Sequence, residues 1–362
     1  MNTLKISSHA KKEAGGKADS LFYQEVDNLW ADKEKLSCSG PGAPAYYKVL
    51  GRSAHIKAWP KRLLIAQQLL LTGPRFTMYS LPERQYILGS SVNWHAPLLE
   101  SDLSDPSISH AKVSDLCYLE RGIVLTAPGF RVYGHWLLDF LPRLVLAKKY
   151  LDRSEEKVPI ITRKIPPWAW PFIDALNLRN DISEHDKYRG IVLGEAIVPL
   201  VAKEGEVYSE SALFEAFSQL RQYLFSQPAT RYKRMKERYG DNCFDKVLIV
   251  RRKPPYASNQ RELGEKLEKI GFISVDPQEY SLAEQARIFS KASIVVGEDG
   301  SALHNIAFCQ PGTQVMMWGR SDRINLRHLS VARAAGVEFS VFPCSGSMDN
   351  YRVDIEALLR HL

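Results

Sequence analysis

The sequence predicts an α/β protein built on parallel sheets. The main observation lies between Lys246 and Leu362, where short β-branched apolar runs alternate with segments of helical spacing across brief loops. Such alternation implies a parallel sheet covered by helices on both faces. A second observation is punctuation: "QRELGEKLEKIG" ends on glycine and "SALHNIAFCQPG" on Pro-Gly, as helices do. A third is that the N-terminal half shows the same mixture, less regularly.

Taken in order, residues 1–20, "MNTLKISSHAKKEAGGKADS", read as a flexible basic tail without an apolar stretch of signal-peptide length, so no export route is expected. The rest of the first hundred residues mixes short strands and loops in no order the sequence gives. "RGIVLTAPG" (121–129) is a strand and a turn, followed by the helix "YGHWLLDFLPRL" (133–144). "KVPIITRKIPPWAWPFIDAL" gives a strand, a Pro/Trp-rich loop and a helix. "RGIVLGEAIVPL" is a strand pair or one long bent strand, and "SESALFEAFSQLRQYLFSQ" is a helix. The polar, highly charged stretch 228–242 marks the expected boundary, giving an N-terminal domain 1–235 and a C-terminal domain 236–362. In the latter, "KVLIVRR", "FISVDP", "SIVVGEDG", "TQVMMWG" and "VEFSVFPC" are the strands. "QRELGEKLEKIG", "SLAEQARIFSKA", "SALHNIAFCQPG", "RINLRHLSVARAAG" and "YRVDIEALLRHL" are the helices. Ser281 and Glu284 fit a capping box.

Composition narrows the classes. The chain has 362 residues, 45% apolar and 25% charged, which suits a two-domain globular protein. No run of about 18 apolar residues occurs, so a spanning helix is not expected. Five scattered cysteines without C-x-x-C spacing argue against a disulfide framework and a structural zinc site, and fit a reducing cytoplasm. The net charge is +7 and the pI near 9.0. A basic balance suits nucleic acid, an anionic membrane surface or an anionic substrate. No helix-turn-helix, zinc-finger or RNP pattern is present, so nucleic acid is not an expected partner.

Two groups of residues carry chemistry. In the helix "YGHWLLDFLPRL", His135, Asp139 and Arg143 recur at i, i+4 and i+8, on one face of an otherwise apolar segment. Polar groups there must be partnered or face a cleft. Pro142 is expected to kink or end the first helical segment. The second group lies at strand ends in the C-terminal domain. "VRRKPP" places Arg251 and Arg252 where one strand ends, and guanidinium forks match phosphate oxygens. "GEDGSALHN" ends another strand in a glycine turn and opens a helix near Ser301, a setting that favours anions. In a parallel sheet both loops open on one rim, and a diphosphate is the natural occupant. Glu298 and Asp299 suit ribose or sugar hydroxyls better than phosphate. Glu284 is a cap or a rim residue, and His304 and Asn305 are packed polar residues or ligand contacts.

These stretches together resemble glycosyltransferase family 61. "HWLLDFLPRL", "VRR", "LAEQARIF" and "GEDGSALHNIAFCQPGT" match four blocks of that family in order and spacing, over roughly residues 120–345. One departure stands out: many members carry G-x-H-G-A, and here Asp299 occupies the histidine position. The resemblance implies a GT-B architecture, two Rossmann-like domains with parallel sheets facing a cleft. The nucleotide would sit on the C-terminal domain and the acceptor on the N-terminal one. It also implies inversion at the anomeric carbon, and the lack of a D-x-D motif agrees with a reaction needing neither metal nor cofactor.

On that basis Asp139 is the first candidate for the general base, with His135 orienting it or acting instead. Arg143 holds the carboxylate or contacts an anionic acceptor; alternatively all three form a buried network. Arg251, Arg252 and the backbone at Gly300 and Ser301 would stabilise the leaving diphosphate. Ala302, Asn305, Glu284 and Asp299 complete the expected nucleotide-binding set. The expected reaction moves a sugar from a nucleotide sugar to a glycan or lipid-linked glycan acceptor. It would serve a bacterial capsule, exopolysaccharide or lipopolysaccharide, in the cytoplasm, with the basic surface docked on the inner face of the membrane as a peripheral protein. Two other readings stay open: a pyruvyl- or other group transferase on surface glycans, and a non-catalytic nucleotide-binding partner of a polysaccharide assembly machine.

Overall fold

The structure is a computed structural model. It describes residues 3–5, 37–38, 63–72, 77–81, 85–88, 116–125, 129–185, 190–200, 203–204, 206–251, 256–320, 325–344, 346–347 and 350–362. The chain folds as two compact units, one of residues 1–27 and 58–205, the other of residues 28–57 and 206–362.

The first unit carries an eight-stranded sheet. Its strands are β1 (Thr3–Lys5), β2 (Leu63–Thr72), β3 (Thr77–Ser80), β4 (Gln85–Leu88), β5 (Leu116–Val124), β6 (Ile160–Arg163), β7 (Ile182–His185) and β8 (Gly190–Pro199), in the spatial order β1-β4-β3-β2-β8-β5-β6-β7. β8, β5, β6 and β7 run parallel, whereas β2, β3 and β4 form an antiparallel meander joined to β8. "RGIVLGEAIVPL" is therefore one long strand. β6 is buried along its whole length, as an inner parallel strand must be. Leu71, Met78, Val124, Ile161 and Leu193 build the core on one face.

After β5 the chain enters a continuous helix, α1, over residues 133–151. It has an α turn at Tyr133–His135, a π segment at Trp136–Phe140 and an α-helix at Leu141–Leu151. The π segment has a local cause. Pro142 has no N–H to give, and its ring crowds the carbonyl four residues back. The chain widens instead, and the Leu141 N–H bonds to Trp136 O, five residues earlier. Pro142 thus does not end the helix, which runs on to Leu151. Every residue from Trp136 to Ala147 is buried, so this apolar segment forms the core of the unit rather than a surface layer.

The second unit carries a parallel sheet of β9 (Lys246–Ile249), β10 (Ile273–Val275), β11 (Ile294–Glu298), β12 (Gln314–Arg320) and β13 (Glu338–Cys344). The order is β10-β9-β11-β12-β13, with Ser37–Cys38 added parallel to β13 as a sixth strand. All five strands read from the sequence are present, and their mixed α/β pattern has the expected physical origin. The helices stop where the residues dictate. Ser281 and Glu284 close a capping box on Leu282–Lys291, and Gly336, at φ +70°, ends Leu326–Ala335 in the left-handed conformation. One element differs. Ser301–Phe308 is a 3-10 helix, entered from Gly300 without a side-chain cap.

This unit begins at Glu206, before the polar stretch that suggested a boundary. The reason lies in the helices Glu210–Ser226 and Thr230–Tyr239. Arg287 donates to the carbonyls of Leu224, Phe225 and Gln227 at 3.1, 2.8 and 2.6 Å, closing the end of the first. The Arg231 N–H of the second donates to Glu284 Oε1 at 2.7 Å. Among the described residues no helix is long and apolar enough to cross a membrane. Cys117, Cys243, Cys309 and Cys344 are free thiols.

Arg143 shows how α1 is fastened. It is 1% exposed, and its Nε and Nη2 donate to Pro199 O at 2.7 Å and Val124 O at 3.0 Å. Burial pushes its guanidinium down to about 10, opposed by the Asp139 carboxylate. Arg143→Ala leaves two buried carbonyls without donors and Asp139 without its cation. The expected loss is about 3–5 kcal/mol, measured by urea unfolding; a loss below about 1 kcal/mol would show that the clasp contributes little.

Candidate active site

Ligands in open α/β sheets bind beyond the carboxyl ends of the strands, where the strand order reverses. In the second unit that point lies between β9 and β11. β9 leads outward to β10, whereas β11 starts the series running the other way. Ile249 pairs with Gly297, so Arg251, Glu298 and Asp299 emerge together at this edge. A pocket of about 290 Å³ opens there, lined by Arg251, Glu298, Asp299, Gly300, Ser301 and His304 on one side. Gly319, Arg320, Asn325, Arg327 and Tyr351 line the other.

Its parts are held from behind. Arg251 Nη1 donates to Asp299 O at 2.8 Å, tying the two strand ends together. A Cβ on Gly300 would lie 3.0 Å from Arg251 Nη1, so the glycine lets the guanidinium lie against the turn. Asp299 Oδ1 accepts from Asn325 Nδ2 and His328 Nε2, both at 2.9 Å. His328 is fully buried and its ring stands 4.7 Å from that of His304. The carboxylate of this turn is thus held by a histidine from the next helix. Arg327 pairs with Glu206 at 2.7 Å.

Glu298, the last residue of β11, is 5% exposed. The Ala257 N–H donates to its carboxylate, yet its Oε2 has no hydrogen-bond partner among the described residues. Burial raises its carboxyl, Arg251 lowers it and Asp299 raises it further, leaving it at about 7.

The first unit has a corresponding point. Its parallel strands stand in the order β8-β5-β6-β7, so the reversal falls between β5 and β8. The carbonyls that Arg143 binds, of Val124 and Pro199, are at the carboxyl ends of those two strands. One turn earlier in α1, His135 Nδ1 and Asp139 Oδ2 are 2.5 Å apart. Asp139 has no exposed surface, whereas the His135 side chain is 19% exposed. Gly129, at φ +84°, makes the ring's position possible, since a Cβ there would lie 2.2 Å from His135 Cδ2. Trp136 Nε1 donates to Phe130 O at 2.6 Å and fixes the approach to the helix.

The other residues singled out in the sequence fall as follows. Arg251, Asp299, Gly300 and Ser301 line the pocket. Ala302 is half-buried, and Asn305 is buried with its Nδ2 donating to Ala302 O at 3.0 Å, inside the 3-10 helix. Glu284 is not among the pocket residues. Burial raises its carboxyl, but N–H bonds from Ser281 and Arg231 outweigh that and hold it below its usual value. Arg252 lies outside the described residues. The sequence marks Glu298 only as a partner for ribose or sugar hydroxyls, and it does not single out Arg320, Asn325, Arg327, His328 and Tyr351. Arg320 carries the same signal as Arg251, a cation at a strand end, and the others needed the fold.

Residues 133–316, just over half of the chain, match the family model Glycosyltransferase 61. The chain belongs to that family. No curated relative matches the sequence. The matched segment runs from the first residue of α1 through Arg251 and the glycine turn after β11, so it includes His135, Asp139, Arg143, Arg251 and residues 298–301. In this glycosyltransferase Arg251 and the glycine turn at 298–301 stand at the strand-order reversal of the second sheet.

The Glu298 carboxyl gives a pH signature. Folded, it holds its proton to about 7; unfolded, it loses it near the ordinary 4.5. Between those values the folded state binds more protons, so its contribution to stability falls as pH rises and stays low above 7. Glu298→Gln is therefore expected to melt above wild type at pH 8 and to converge with it near pH 4.5. Parallel melting curves across that range would show that Glu298 is already ionised in the folded state.

Proposed function

We propose that this family-61 glycosyltransferase is an inverting, metal-independent enzyme in which the two units are the halves of a GT-B arrangement. The donor is a nucleotide sugar and the acceptor a growing glycan or lipid-linked glycan, of the kind that builds a bacterial capsule, exopolysaccharide or lipopolysaccharide. The +7 net charge favours peripheral association with the anionic inner face of the cytoplasmic membrane.

The observation that carries this reading is the pocket at the β9/β11 reversal, where Arg251, Arg320 and Arg327 stand around a glycine turn. Cations and turn N–H groups suit a diphosphate that gains charge as the glycosidic bond breaks. In the first unit the His135–Asp139 pair is a base and its holder. The buried carboxylate accepts from Nδ1, which makes Nε2 the basic nitrogen toward an acceptor hydroxyl. The sequence favoured Asp139 as the base; its complete burial favours His135 as the group an acceptor reaches. Arg143 then serves structure, through Val124 O and Pro199 O. In the set carried over from the sequence, Gly300 and Ser301 meet the diphosphate, Arg252 reinforces Arg251, and Glu284, Ala302 and Asn305 shape the rim from behind.

Thermal stabilisation against nucleoside diphosphates, nucleotide sugars and phosphoenolpyruvate tests the donor class. A ligand at 100 times its Kd adds about 2.7 kcal/mol. A shift with one nucleoside diphosphate supports the proposal; a shift with phosphoenolpyruvate alone favours a pyruvyltransferase. Binding without turnover on any glycan acceptor favours a non-catalytic partner. Arg251→Ala should weaken nucleoside diphosphate binding about 10- to 100-fold. His135→Ala should lower kcat by about 10²- to 10⁴-fold with nucleotide affinity unchanged. Wild-type turnover in His135→Ala would move the base elsewhere.

A further inference from the structure

The pocket holds a residue that an anion site would not be expected to contain. Glu298 is 5% exposed and lines the cavity beside Arg251 and the glycine turn. One of its oxygens has no partner among the described residues. The nearest cation, Arg251, already gives Nη1 to Asp299 O, and Asp299 adds a like charge. A diphosphate placed in the same pocket would compete for Arg251 and repel an ionised Glu298 across a poorly hydrated space. The arrangement is consistent only if the carboxyl is neutral when the anion is bound.

We propose that the pocket takes its anionic ligand together with one proton from solvent, carried on Glu298. This rests on the reading of the pocket as a diphosphate site. The ionisable groups around Glu298 are Arg251 from the loop after β9, Asp299 beside it in the chain and Cys344 at the end of β13. His304, Arg320, Arg327 and Tyr351 also line the pocket. Of these, Arg251 favours the charged form, and Asp299 and burial oppose it. Free of ligand, Glu298 exchanges its proton near neutral pH, so a bound anion shifts the balance within the working range. Protonated, the carboxyl also becomes a donor, able to give its O–H to a phosphate oxygen instead of repelling it.

The test is calorimetry with uridine diphosphate and inorganic diphosphate, from pH 6 to pH 8. The phosphates and histidines also titrate there, so wild type is compared with Glu298→Gln, which is neutral throughout. Relative to that variant, wild-type affinity should fall about tenfold between pH 6 and pH 8. At pH 8, binding in two buffers of different ionisation enthalpy should reveal uptake approaching one proton per site in wild type and none assigned to residue 298 in the variant. Identical pH profiles, or no proton uptake by wild type, would overturn the inference while leaving the diphosphate site standing. If neither probe binds either protein at any pH, the diphosphate reading falls and the inference with it. Should Glu298→Gln not fold, Glu298→Leu serves as the neutral reference in the same comparison.

Discussion

Both sheets meet one constraint: where the strand order of a parallel sheet reverses, neighbouring strands send their chains to opposite sides and open a crevice between their carboxyl ends. The polar backbone groups there need partners. In the first unit the crevice is filled, because the Arg143 guanidinium donates to the two terminal carbonyls of β5 and β8. In the second it is only bridged. Arg251 donates to Asp299 O and ties β9 to β11, and the space beyond remains a pocket. The same chemistry, an arginine on a backbone carbonyl, gives a fastened helix in one sheet and a binding site in the other.

The fastening has a consequence for the residues above it. Arg143 needs α1 against the strand ends, and Pro142 within α1 forbids an ordinary turn. The π segment reconciles the two and leaves Asp139 buried with His135 at its surface. A polar stripe in a buried helix is therefore graded by depth. Arg143 and Asp139 are both buried, the one binding strand-end carbonyls and the other the imidazole, and His135 alone of the three is partly exposed. Gly129 completes the arrangement by leaving no Cβ in the ring's way.

In the second unit, depth decides charge. Glu298 and Asp299 are adjacent in the chain but leave β11 in different surroundings. Asp299 accepts two hydrogen bonds from Asn325 and His328. Glu298 faces a drier setting with one oxygen unmatched among the described residues. Burial therefore raises the Glu298 carboxyl, one residue before a carboxylate that two donors hold.

The sequence by itself determined the alternation of strands and helices in residues 246–362, the caps at Ser281 and Gly336, and the four motif blocks. These are local facts, set by side-chain period, by glycine's conformational freedom and by spacing along the chain. Arg251, Asp299, Gly300 and Ser301 were legible for the same reason, since a strand end is visible in one dimension. The tertiary structure alone decided which strands are neighbours, and so that Arg251 and Gly300 meet. It decided that Glu298 is buried beside them, that His328 comes 29 residues along to hold Asp299, and that Asp139 has no exposed surface. It also drew residues 206–235 into the second unit, because the helices there close on Arg287 and Glu284. Burial and proximity across long stretches of chain depend on packing, and no pattern of neighbouring residues encodes them.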